Sequence, residues 1–161
     1  MSGQMITYKL KDVLVNKDNI LFRYGIFILG CDRQTTGFGK SSFARTLASN
    51  LAQCIAMAHG LRDDSARVIE SKTLEGLKTM DRLQQGDVII LDELKPTDKE
   101  SNVYMSPTML KSFADVSEGI TIRARNSDLV IPGGIPRFVT GNASSRREFF
   151  GDNDTQVLLS L

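Results

Sequence analysis

The chain has 161 residues, 41% of them hydrophobic and 24% charged, which is enough apolar material for one ordinary domain core. Twenty basic against nineteen acidic residues leave a formal net charge of +1, so a globally basic nucleic-acid binder is excluded and any polyanion must be met by a local patch. Cys31 and Cys54 stand apart, outside any CxxC or Cys/His spacing, and no stretch approaches the roughly 20 apolar residues of a membrane span. The expectation is a reduced intracellular protein, cytoplasmic or nuclear, with no membrane segment and no signal sequence.

In chain order, Tyr24 to Leu29 is a continuous apolar run of the kind that forms a strand buried on both faces, and it ends at Gly30. From Lys40 to about His59 the residues Phe43, Leu47, Leu51 and Ile55 recur every fourth position, predicting one apolar helical stripe stopped by Gly60. His59 reads as a surface residue compensating the helix dipole, and Met57 as core or interface. Arg67 to Ile69 reads as a second strand, and Leu74, Leu77 and Met80 as a modest helix. Val88 to Leu91 is a third strand, introduced by Gly86-Asp87 and ended by Asp92-Glu93. Leu94 to Met105 is polar, aperiodic and long for a loop in a compact domain. Ser106-Pro107 supplies an N-cap and a first helical residue, opening a helix to about Val116. Ile120 to Arg125 and Leu129 to Ile131 flank the turn-forming Asn126-Ser127-Asp128 and predict a β-hairpin. A last strand covers Arg137 to Thr140 and ends at Gly141-Asn142, before a short helix and a tail. Strands alternating with helices give an α/β fold, three layers with a central mostly parallel sheet and a hairpin insertion. The expected organisation is a single domain over 1–161, with an extension over 1–20, a core over about 21–150 and a tail over 151–161.

Three clusters carry candidate chemistry. Thr36, Gly37, Phe38, Gly39, Lys40, Ser41 and Ser42 lie between a buried strand and an amphipathic helix. Glycines let backbone N–H groups converge on phosphate oxygens, and a lysine at the helix start meets the outer phosphates. The pattern is that of a divergent P-loop, because the position of its usual first glycine holds Gln34 and Cys31-Asp32-Arg33 lengthens the loop. Without a ligand, the same residues are a glycine-rich turn with a helix-capping serine. About 50 residues further on, Asp92 and Glu93 close an apolar strand, the arrangement needed for one acid to hold Mg²⁺ together with Ser41 and a second to take a proton from water. Asn142, at the end of the last strand, suits a residue that orients that water against the γ-phosphate.

Taken in order, the loop, the strand with Asp92-Glu93, the helix, the basic hairpin and Pro136-Arg137-Phe138-Val139-Thr140-Gly141-Asn142 resemble the superfamily 3 helicases of small DNA and RNA viruses, an AAA+ related group. The similarity runs from about Ile26 to Phe150. It implies an ATP hydrolase with Mg²⁺, in which Lys40, Asp92, Glu93 and Asn142 are catalytic and Ser41 and Asp92 hold the metal. It further implies a homo-oligomer, a hexameric ring threading single-stranded nucleic acid in viral replication. Arg123 and Arg125 stand where the family's hairpin presents a lysine, and Arg146 and Arg147 are the arginines available as a finger toward a neighbouring subunit. Two other functions fit the same motifs: a small-molecule P-loop kinase, and a nucleotide-binding assembly module that no longer hydrolyses.

Overall fold

The computed structural model describes residues 23–30, 39–62, 65–78, 83–84, 86–95, 105–122 and 128–142. Among these described residues six strands and three helices follow in the order β1 (Ile26–Gly30), α1 (Lys40–Ala58), β2 (Val68–Ser71), α2 (Leu74–Lys78), β3 (Val88–Leu94), α3 (Pro107–Ala114), β4 (Ile120–Ile122), β5 (Leu129–Ile131) and β6 (Arg137–Asn142). Four strands make a parallel sheet in the order β1-β6-β3-β2, and β4 and β5 pair separately as an antiparallel hairpin. The fold is α/β, as the alternation of elements predicts. Among the described residues no helix is long and apolar enough to cross a membrane.

Strand alternation divides the sheet's side chains between two cores. Val88, Ile90 and Phe138 face α1 and pack against Ala44, Ala48, Leu51, Ala52 and Ile55. Ile89, Leu91, Val139 and Phe27 face the other way, against Leu110 and Phe113 of α3 and against Ile120, Ile122 and Ile131 of the hairpin. Each of these larger apolar side chains contributes about 1.5–3 kcal/mol when fully buried.

The stripe expected on α1 is displaced. Leu51 and Ile55 are buried, but Phe43 and Leu47 are 45% and 38% exposed, and the helix also meets the sheet through Ala44, Ala48 and Ala52. Four residues turn an α-helix through about 400°, so a row of period four drifts by about 40° at each step: Phe43 and Leu47 fall outside the buried arc, and only Leu51 and Ile55 have turned into it beside the alanines. The buried set instead follows the mixed spacing of three and four, and small residues let the helix lie close to the strands. Met57 is exposed rather than core. The helix ends at Ala58, where the His59 N–H donates to the Ile55 carbonyl and Gly60 takes φ 64°.

Smaller boundaries also move. Tyr24 stands before β1 in an isolated bridge to Asp115, and Ser71 extends β2 past Ile69. Helix α3 begins as predicted, with Ser106 Oγ accepting from Met109 N at 3.3 Å, and ends at Ala114 rather than Val116. Strand β3 does not stop before the acids but runs through them to Leu94. Met80, the stretch 96–104 and the short helix and tail expected after Asn142 lie outside the described residues.

Candidate functional site

Because the sheet pairs are parallel, the carboxyl ends of β1, β6, β3 and β2 gather along one edge, where open α/β sheets bind ligands. Helix α1 starts at this edge. Its N-cap Gly39 has φ 75°, a left-handed conformation that costs a residue with a Cβ about 1–2 kcal/mol, and it offers no capping side chain to the first turn.

Lys40 is the first helical residue, and the next one makes the decisive contact: Ser41 Oγ donates to Asp92 Oδ1 at 2.6 Å, joining positions 51 residues apart. Asp92 is 5% exposed. The same Oδ1 accepts from Thr140 Oγ1 at 2.5 Å, and Thr140 Oγ1 in turn accepts from the Glu93 N–H at 3.0 Å. Arg45, one turn along α1 from Ser41, donates to Glu70 on β2 through Nε at 2.6 Å and Nη2 at 2.5 Å. Its Nη2 also lies 3.9 Å from Asp92 Oδ2. The hydrogen bond and charge of Glu70, reinforced by Asp92, raise Arg45 above the ordinary guanidinium value, so it is a fixed cation beside the acid.

Glu93 is treated differently from its neighbour. Pairing runs Leu91 with Val139 and then Leu94 with Gly141, so β3 carries one extra residue here, a β-bulge. Glu93 takes φ 61° within it, the one non-glycine left-handed residue among those described. The bulge reverses the pleat: Leu94 joins the core on the α3 side, which uninterrupted alternation denies it, while Glu93 turns to solvent. There it accepts from Lys72 Nζ at 2.6 Å, a bond that raises Lys72 above the ordinary lysine value.

Asn142 ends β6 in register with Gly30, exposed and two residues beyond Thr140 on the same side of the pleat. Ser42 is exposed on the first turn of α1, its carbonyl accepting from Thr46 Oγ1 at 3.0 Å. Thr36, Gly37, Phe38, Arg123, Arg125, Arg146 and Arg147 lie outside the described residues.

The residues fit a particular kind of cation. Among the described residues no three His, Cys, Asp or Glu side chains gather into a metal-ligating group. One hydroxyl and one buried carboxylate, converging at 2.6 Å, instead suit a hard, oxygen-seeking cation that brings most of its ligands as water and phosphate, which is the habit of Mg²⁺.

Sequence reasoning missed Thr140, Arg45 and Lys72. For Thr140 a signal existed, since a hydroxyl in an otherwise apolar buried strand must find a partner. Arg45 follows Ser41 by one helical turn, and Lys72 follows directly on β2, but their partners come from other elements. No protein-family model matches the chain, and no curated protein matches it significantly.

Proposed function

We propose that this chain is a P-loop nucleoside triphosphatase of AAA+-like architecture that hydrolyses ATP with Mg²⁺, and that it works as a nucleic-acid motor like the superfamily 3 helicases it resembles. The observation that carries the proposal is the contact between Ser41, at the start of the helix after the glycine loop, and Asp92, at the end of a buried parallel strand. A hydroxyl and a carboxylate brought together there are the protein's share of a metal–phosphate site.

In this reading the loop amides and Lys40 hold the phosphates, and Ser41 and Asp92 hold Mg²⁺, which supplies charge neutralisation on the phosphate oxygens. Glu93 exchanges its bond to Lys72 for one to water and takes the proton as the water oxygen attacks the γ-phosphorus. The bond from that phosphorus to the bridging oxygen breaks, leaving ADP and phosphate. Asn142 orients the water. The motor half adds a homo-oligomeric ring with Arg123 and Arg125 on single-stranded nucleic acid and Arg146 or Arg147 reaching a neighbour's nucleotide. Binding without turnover is the rival, favoured by the engagement of Glu93 with Lys72.

The test is equilibrium binding of a labelled ATP analogue, with phosphate release measured with and without single-stranded DNA. Wild-type protein should bind and turn over, DNA should raise the rate, and Lys40→Ala should lose at least tenfold in affinity. Equal binding by Lys40→Ala sinks the P-loop reading, and binding with no turnover leaves the module.

A further inference from the structure

The hydroxyl of Thr140 sits between two acids to which the proposed reaction gives different tasks. Thr140 is 1% exposed, on the α1 side of β6 in step with Phe138, in a position where a valine would fill the same volume without needing a partner. It has a partner for each of its capacities: it donates to Asp92 Oδ1 at 2.5 Å and accepts from the Glu93 N–H at 3.0 Å. Asp92 and Glu93 both lie in the bulge of β3, between the Leu91–Val139 and Leu94–Gly141 pairs, so that two residues of β3 stand opposite the single Thr140 of β6 and the backbone leaves the regular ladder. A side-chain hydroxyl from the neighbouring strand therefore takes the bulge N–H.

The second donor on Oδ1 is Ser41, at 2.6 Å. A serine that turns toward a cation gives up that bond, and the Thr140 donor then keeps the carboxylate from rotating, with Oδ2 on the Arg45 side. We propose that Thr140 is a positioning residue of the site: one hydroxyl clamps the metal-holding Asp92 and the backbone of Glu93 together, setting where the second acid stands relative to the first. The inference rests on the phosphate-and-cation reading above.

The experiment compares Thr140→Val, which keeps shape and loses both hydrogen bonds, with Thr140→Ser, which keeps the hydroxyl. In folded Thr140→Val the Mg²⁺ concentration for half-maximal phosphate release should rise about tenfold or more, the usual consequence of removing a group that orients a metal ligand. The KM for ATP at saturating Mg²⁺ should change little, and Thr140→Ser should restore the wild-type Mg²⁺ dependence. A second readout needs no nucleotide: the Glu93 amide proton, followed by NMR hydrogen exchange, should exchange at least tenfold faster in Thr140→Val and at the wild-type rate in Thr140→Ser. If the valine variant does not fold, Thr140→Ala takes its place in both measurements. Wild-type Mg²⁺ dependence together with wild-type Glu93 exchange in a folded variant overturns the proposal. A wild-type protein that binds no nucleotide overturns the phosphate reading instead, and the exchange of Glu93 then decides the clamp by itself.

Discussion

Asp92 and Glu93 are adjacent, yet one is buried under two hydroxyl donors and the other stands in solvent against a lysine. That difference divides their proposed labour. A buried, doubly bonded carboxylate is held still, as a metal ligand must be, whereas an exposed carboxylate on an exchangeable surface pair can turn and accept a proton. Glu93→Gln should therefore keep ATP-analogue affinity within about twofold and lower phosphate release at least 100-fold, the contribution expected of a positioned base. Unchanged turnover would move the base elsewhere. Asp92→Asn should weaken Mg²⁺-dependent binding and turnover together, because an amide can present N–H rather than an oxygen to the two hydroxyls and to the cation. The acids were legible in the sequence because they close an apolar run. Their separate environments were not, because Thr140 comes from β6 and Lys72 from the turn after β2, and neither leaves a mark on the local spacing.

The elements themselves show why local pattern succeeds at β3 and fails on α1. A run of buried aliphatic residues locates a central strand whatever its neighbours, but the angular position of a helix depends on which side chains are small enough to let it approach the sheet. Alanines decided that on α1. Arg137 was hidden for a related reason. It opens a strand between Pro136 and Phe138 and is 1% exposed, with Phe113's ring centroid 5.5 Å from its guanidinium carbon. Nη1 donates to the carbonyls of Ser112, Phe113 and Asp115 at the end of α3, and Nη2 to those of Glu118 and Pro132 at the base of the hairpin. Burial pulls this guanidinium down to about 10 against the opposing charge of Asp115, so it remains a cation at neutral pH. Arg137→Met, close in length but without donors, strands those carbonyls and should cost about 3–5 kcal/mol in urea unfolding. A loss below about 1 kcal/mol would show that water reaches the carbonyls and that the arginine is not the tie between α3, the hairpin and β6.

At the scale of the whole molecule, β6 joins the two halves of the proposed function. Its first residue, Arg137, anchors the open end of the hairpin, and its last residues, Thr140 to Asn142, lie at the carboxyl edge of the sheet beside Asp92. The hairpin base has little freedom of its own: a Cβ on Gly133 would come within 2.6 Å of the Ser117 carbonyl oxygen, and Gly134 N donates to Val116 O at 2.7 Å. Any movement of the hairpin base must therefore travel with β6 and α3. In β4 the isoleucines at 120 and 122 are buried and Thr121 is exposed, an inward and outward alternation. Arg123 and Arg125 lie outside the described residues, so nucleic-acid contact is tested directly. Replacing both with alanine should weaken single-stranded DNA binding and flatten the log–log dependence of affinity on salt by about 1.4, because two fewer phosphate contacts release that many fewer counterions from a single strand. ATP-analogue binding should be unchanged, since the hairpin packs on the α3 face while Ser41 meets Asp92 on the face covered by α1. A double variant with wild-type affinity and wild-type salt slope leaves the hairpin as a charged surface ribbon, and with it the motor half of the proposed function falls while the triphosphatase half stands.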